Sequence, residues 1–173
     1  TQERSLIEIL SMVSRPKELV HAYGKAIGGI PLGVWAADNT LMYYPEGVAS
    51  DHVVSMLLAL QDRVRSDCEV GIGLCAHRGI FYELGNGVYG PDADRVDGIA
   101  ENFTEAGELV VTGELLRTLG TSASFRVAIR EDLRAAFGEV HRVTDGPRLG
   151  GIEASDFRYP LPFTEEFYGG LAE

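Results

Sequence analysis

The residues of this chain that could carry chemistry are mostly carboxylates and glycines. Asp38 stands beside Asn39 between two short β-rich runs, LGVWAA and TLMYYP. A carboxylate there reads as an ordinary tight-turn residue. Asp92, Asp94 and Asp97 open a helical stretch. They lack the glycine and distal glutamate of a calcium loop, so a solvated, helix-capping role is expected of them. Gly85, Gly87 and Gly90 punctuate GNGVYG, but no GxxxxGK[ST] spacing and no lysine follow, which favours turns over a phosphate cradle. Cys68 and Cys75 form no CxxC pair, and His21, His52, His77 and His141 offer neither a zinc signature nor a triad. Buried reduced thiols and structural histidines are the expectation.

The elements that would position these residues follow from periodicity. Leu6, Ile9, Leu10 and Val13 fit helical spacing, and Pro16 suits the first turn of a second helix that stops at Gly24. GGIP turns the chain into a hairpin with Asp38-Asn39 at its tip. Ser50-Asp51 caps a helix whose apolar face is Val53, Val54, Leu57, Leu58 and Val64. Val70 to Leu84 reads as a hairpin turning at His77-Arg78-Gly79. A helix over Ala93 to Phe103, a turn at Ala106-Gly107, the strand ELVVT and a short helix from Gly113 to Leu119 come next. FRVAIREDLRAAF is either a strand then a helix or one helix, and EVHRVT is a strand. FRYPLPF is extended, and its two prolines confine it to an edge or the surface. With no internal repeat or linker, one α+β domain over 1–173 is expected.

The order and spacing of WAADNTLMYYP, GIGLCAHRGIFYE and VYGPDADRVDGIAENFTEAGELVVT resemble the catalytic domain of class III adenylate and guanylate cyclases, as a degenerate bacterial-type member. The likeness covers roughly Gly28 to Leu119. It implies a ferredoxin-like βαββαβ core, an antiparallel sheet with helices on one face, and head-to-tail pairing. Two aspartates holding two metals would serve attack of a ribose hydroxyl on the α-phosphorus. By this resemblance Asp38 matches one metal aspartate. The other belongs on a strand before the first helix, and that strand is expected to be missing or upstream of Thr1. The base-reading lysine falls at Gly33 or Val34, and its polar partner at Gly87. The asparagine and arginine of the transition-state pair fall at Asp94 and Gly98, with Arg95 turned about 100° away around the helix. Trp35, Tyr43 and Tyr44 are either partner-facing anchors or ordinary core.

Replacing a transition-state cation by glycine removes orders of magnitude in rate. The expected function is therefore a cyclase-like domain without catalysis, regulatory or dimerising in signalling, with Mg or Mn present only if nucleotide is bound. Two alternatives stand: an active subunit of a heterodimer or with an unseen upstream strand, and a ferredoxin-like module for some small ligand. The partners implied by this resemblance are a second cyclase-type domain, as homodimer or heterodimer, and a nucleotide. The net charge of −11 argues against nucleic acid. With 45% hydrophobic and 24% charged residues and no long apolar run, a cytoplasmic protein without membrane insertion is expected.

Overall fold

The computed structural model describes residues 2–12, 14–32, 39–68, 71–84, 87–120 and 124–152. Eight strands form one sheet in the order β2-β3-β1-β4-β6-β8-β7, with β5 paired to β4 beside that path. The strands are β1 (Gln2–Met12), β2 (Ile30–Leu32), β3 (Asn39–Tyr44), β4 (Leu74–Leu84), β5 (Gly87–Tyr89), β6 (Leu109–Thr112), β7 (Arg126–Ile129) and β8 (Val140–Asp145). The helices are α1 (Ser14–Ala26), α2 (Ser50–Asp67), α3 (Pro91–Phe103), α4 (Gly113–Leu116) and α5 (Arg134–Phe137). The run β1-α1-β2-β3-α2-β4 with β1 between β3 and β4, both antiparallel to it, is the ferredoxin-like core. The α+β ferredoxin-like class expected from the sequence is what the chain adopts.

Strand alternation separates two apolar layers. Leu74, Ala76, Leu109 and Val111 meet Leu19, Val20 and Tyr23 of α1 and the buried stripe of α2 on one face. Cys75, Val110 and Val140 point the other way, onto Val96, Ile99 and Ala100 of α3. The two helices of the ferredoxin-like core thus share one face as expected. The later helix α3 covers the opposite one.

Three sequence expectations are corrected. Leu6 to Val13 does not start a helix: residues 2–12 form β1, and a strand does precede the first helix, inside this chain. SLIEILSM satisfies both periods over so short a run, and pairing to β3 and β4 along nearly its whole length decides for the strand. The turn expected at His77-Arg78-Gly79 is absent, since β4 runs straight through it from Leu74 to Leu84. The hairpin partner is β5, with Leu84 opposite Gly87. Of the two readings of FRVAIREDLRAAF, strand then helix is the one formed, through β7, a 3₁₀ turn at Glu131–Leu133 and α5. FRYPLPF lies outside the described residues.

Candidate functional site

The site implied by the sequence would gather the hairpin tip of Asp38, the strand before α1 and one face of α3. Asp38, Val34 and Trp35 lie outside the described residues. The register beside them is informative. Met12 at the end of β1 is opposite Asn39, and Glu8 is opposite Tyr43. Glu3 and Glu8 are the carboxylates of β1. Glu8 is therefore four positions from the tip end of β3, about 14 Å along the strand. Tyr43 and Tyr44 are 5% and 1% exposed. Tyr43 packs with Phe81 and Ala93, and burial pushes the Tyr44 phenol pKa upward. Both belong to the core, which leaves neither ring free to anchor a partner.

On α3 the side chains point where helical geometry sends them. Asp94 is exposed, and Gly98 one turn later lies beneath Phe137. A Cβ built at residue 98 would come within 2.9 Å of the Phe137 ring. Phe137 also meets Phe103 edge-on, with ring centroids 5.2 Å apart. Arg95 is turned about 100° from Asp94 around the helix and is spent on other partners. Its Nε donates to the Phe137 carbonyl at 2.7 Å, and its guanidinium pairs with Glu114. Outside this contact α3 is acidic. Burial first, then Glu101 and Asp94, raise the carboxyl pKa of Asp97. Phosphate charge would meet repulsion here. Gly87, the position of the base-reading partner, is the first residue of β5.

A second cluster, not assembled by the sequence reading, centres on His77. Its ring is buried, with Nε2 2.7 Å from Asp92 Oδ1 and Nδ1 2.6 Å from Thr112 Oγ1. A carboxylate only accepts, so Nε2 carries the proton, and the Thr112 hydroxyl donates to Nδ1. Burial is the larger influence and lowers the His77 pKa, while Asp92 opposes it. The remaining Asp92 oxygen accepts the Ile80 N–H at 2.9 Å. Gly79 makes this possible, because a Cβ there would lie 2.5 Å from Asp92 Oδ2. The Asp-His-hydroxyl order is that of a nucleophile relay. Yet Thr112 is fully buried and caps α4 by accepting the Leu115 N–H. No substrate atom can reach it, so the cluster ties α3 and α4 to the sheet. The signal was present as His77-x-Gly79 and the acidic start of α3, but their closeness needs the fold.

Away from both, a cleft of about 340 Å³ lies between α2 and the β6–β8 end of the sheet, lined by Gln61, Arg65, Arg142 and Arg148 among others. Its arginines are spent on carboxylates: Arg65 and Arg148 on Asp62, and Arg142 on Glu108. Among the described residues no group of three or more His, Cys, Asp or Glu could hold a metal ion.

No protein-family model matches the sequence, and no curated protein matches it. Solved structures do match in shape. The guanylate cyclase domain of RhGC from Catenaria anguillulae, in complex with GTP, superposes with a TM-score of 0.67 at 14% identity, over 84% of this chain and 100% of that one. The adenylyl cyclase CyaB from P. aeruginosa gives 0.66 at 14%, over 86% and 98%. A dimeric guanylyl cyclase domain of the RhoGC fusion protein from Blastocladiella emersonii gives 0.64 at 10%, over 83% and 98%. The chain has the fold of nucleotide cyclase domains.

Proposed function

We propose that this chain is a degenerate cyclase-like domain that does not cyclise nucleotides and serves a regulatory or dimerising role in signalling. The observation that carries this reading is the contact of Phe137 with Gly98. The resemblance assigns position 98 to a transition-state arginine, and here that position is both bare and roofed by an aromatic ring. Arg95 cannot substitute, because it is engaged with Glu114 and the Phe137 carbonyl.

The register of β1 supports the same reading. The strand exists, but no aspartate stands on it, and Glu8 is a long way from Asn39 at the start of β3. A lone Asp38 is a poor holder for two metals, since Mg²⁺ normally draws on one or two carboxylates plus substrate oxygens. If nucleotide binds, Mg or Mn would accompany its phosphates beside Asp38. The alternative of an active heterodimer subunit would need this chain to supply both metal aspartates, and β1 carries none. A homodimer or a heterodimer with another cyclase-type domain, in the cytoplasm, is the assembly this reading favours. Among the described residues no helix is long and apolar enough to cross a membrane.

The test is direct. Purified protein incubated with Mn²⁺ and ATP or GTP is expected to yield no cAMP or cGMP, and robust production of either would overturn the reading. A thermal-shift series with the same nucleotides separates a nucleotide-sensing module, which is stabilised by mass action, from a purely structural one.

A further inference from the structure

One face of the sheet is left uncovered at the far end of β4. Leu74 and Ala76 lie in the core beneath α2, and alternation places Arg78, Ile80 and Tyr82 on the same face. Arg78 donates to the Ser50 hydroxyl at 3.1 Å, on the first residue of α2. The helix has run out at that point. Beyond it Ile80 and Tyr82 are 49% and 39% exposed, and Tyr89, opposite Tyr82 on β5 and so on the same face, is 55% exposed. Three large apolar side chains thus form a contiguous patch that no described element covers.

The chain after β8 is directed toward it. From Asp145 it turns back along α2: Arg148 pairs with Asp62 at 2.9 Å, and the Leu149 N–H donates to the Ser55 carbonyl at 3.1 Å. It is travelling toward the start of the helix, and Ile152 packs on the same core. Ser55 to Ser50 is about 7 Å along the helix, and Arg78 to Tyr82 about 14 Å along the strand. Leu149 to Phe157 can span about 26 Å, so the stretch that follows reaches the patch. In that stretch Phe157, Tyr159, Leu161 and Phe163 alternate with Arg158, Pro160 and Pro162. Alternation gives one apolar side, the complement of a flat apolar sheet face. The two prolines lack N–H groups, which disfavours adding a strand to the β5 edge and favours lying across the face.

We propose that residues 157–163 of this chain dock across Ile80, Tyr82 and Tyr89 and are the normal cover of that face. The proposal is independent of whether the domain turns over nucleotide.

Hydrogen-exchange mass spectrometry on the full chain tests it, against a full-length variant carrying Phe157→Ser, Tyr159→Ser, Leu161→Ser and Phe163→Ser, at low and high protein concentration. The expected result is exchange in the 79–90 peptides faster by about tenfold in the variant at both concentrations, with α2 and α3 unchanged. Equal exchange in the two proteins would overturn the proposal. So would protection that depends on concentration rather than on the four residues, because the face would then belong to a second copy. Should the variant fail to fold, Tyr82→Cys combined in turn with Tyr159→Cys or Leu161→Cys, in a Cys68→Ser background, gives a second readout. A disulfide within one molecule supports docking. Disulfides only between molecules, or none, refute it.

Discussion

The ring of Phe137 rests on Gly98, at a distance that leaves no room for a side chain on α3 at that point. Glycine in a helix interior ordinarily costs about 1 kcal/mol relative to alanine, so the contact has a measurable signature. In the parent, Gly98→Ala is expected to destabilise by about 1 kcal/mol, overpacking outweighing propensity. In a Phe137→Ala background the same change is expected to stabilise by a few tenths to about 1 kcal/mol. Urea unfolding of the four proteins checks this reversal of sign, and a stabilising Gly98→Ala in the parent would contradict it.

Gly98→Arg restores the side chain that the resemblance places there, but not its use. The guanidinium must displace Phe137, so stability is expected to fall by about 1–3 kcal/mol. No cyclase activity is expected to appear with Mn²⁺ and ATP or GTP. Gain of turnover from this single change would mean that the rest of the machinery is intact.

Protonation should loosen the fold through two histidines. His77 has its pKa lowered by burial, and His21 is pushed down to about 4 by burial and then by Lys25. As pH falls below about 6.5, the unfolded chain takes up protons that the folded one refuses, so stability drops with falling pH. The stability these groups give is complete above that value, and the loss continues down to the folded pKa, near 4 for His21. Denaturant midpoints between about pH 7 and about pH 5 should therefore decline, and less steeply in His77→Asn or His21→Asn than in the parent. Parallel slopes in all three proteins would rule this out.

Glu108 is the acid whose removal should matter most. It is 6% exposed and is held by Arg130 at 2.7 Å and by Arg142. Glu108→Gln takes the buried carboxylate from both cations, leaving Arg142 without this partner and Arg130 with only the exposed carboxylate of Asp132. Destabilisation by about 2–3 kcal/mol is expected, the partial exposure of Arg142 holding it to the lower end for a buried pair. The effect should persist at high salt, unlike that of the surface pair Arg65–Asp62. A loss that salt abolishes would place Glu108 among ordinary surface charges.

What could be read from the sequence divides along physical lines. α2 and α3 were legible because each carries a long apolar stripe at helical spacing, and β6 because LVVT is a β-branched run between turn residues. β1 was not, because its residues satisfy two periods at once and only partners some 30 and 70 residues away decide between them. His77-Arg78-Gly79 looked like a turn because glycine usually is one. Gly79 serves instead to admit Asp92 to the strand backbone, a demand set by an element twelve or more residues later. At the candidate site, the presence of Asp94 and Gly98 where the resemblance expects asparagine and arginine is visible in sequence. That Phe137 fills the place is not, since α5 reaches α3 only through the sheet.

The position of β1 has a consequence for how the chain is made. Gln2 pairs with Glu83 and Ser11 with Leu74, so a strand synthesised before either of its neighbours ends up in the interior of the sheet. Both of its edges stay open until β3 and then β4 have been synthesised. Pairings so distant in sequence carry a high contact order and slow folding. During that interval SLIEILSM is an unpaired apolar strand, the kind of segment that nascent-chain chaperones shield and that aggregates when they do not.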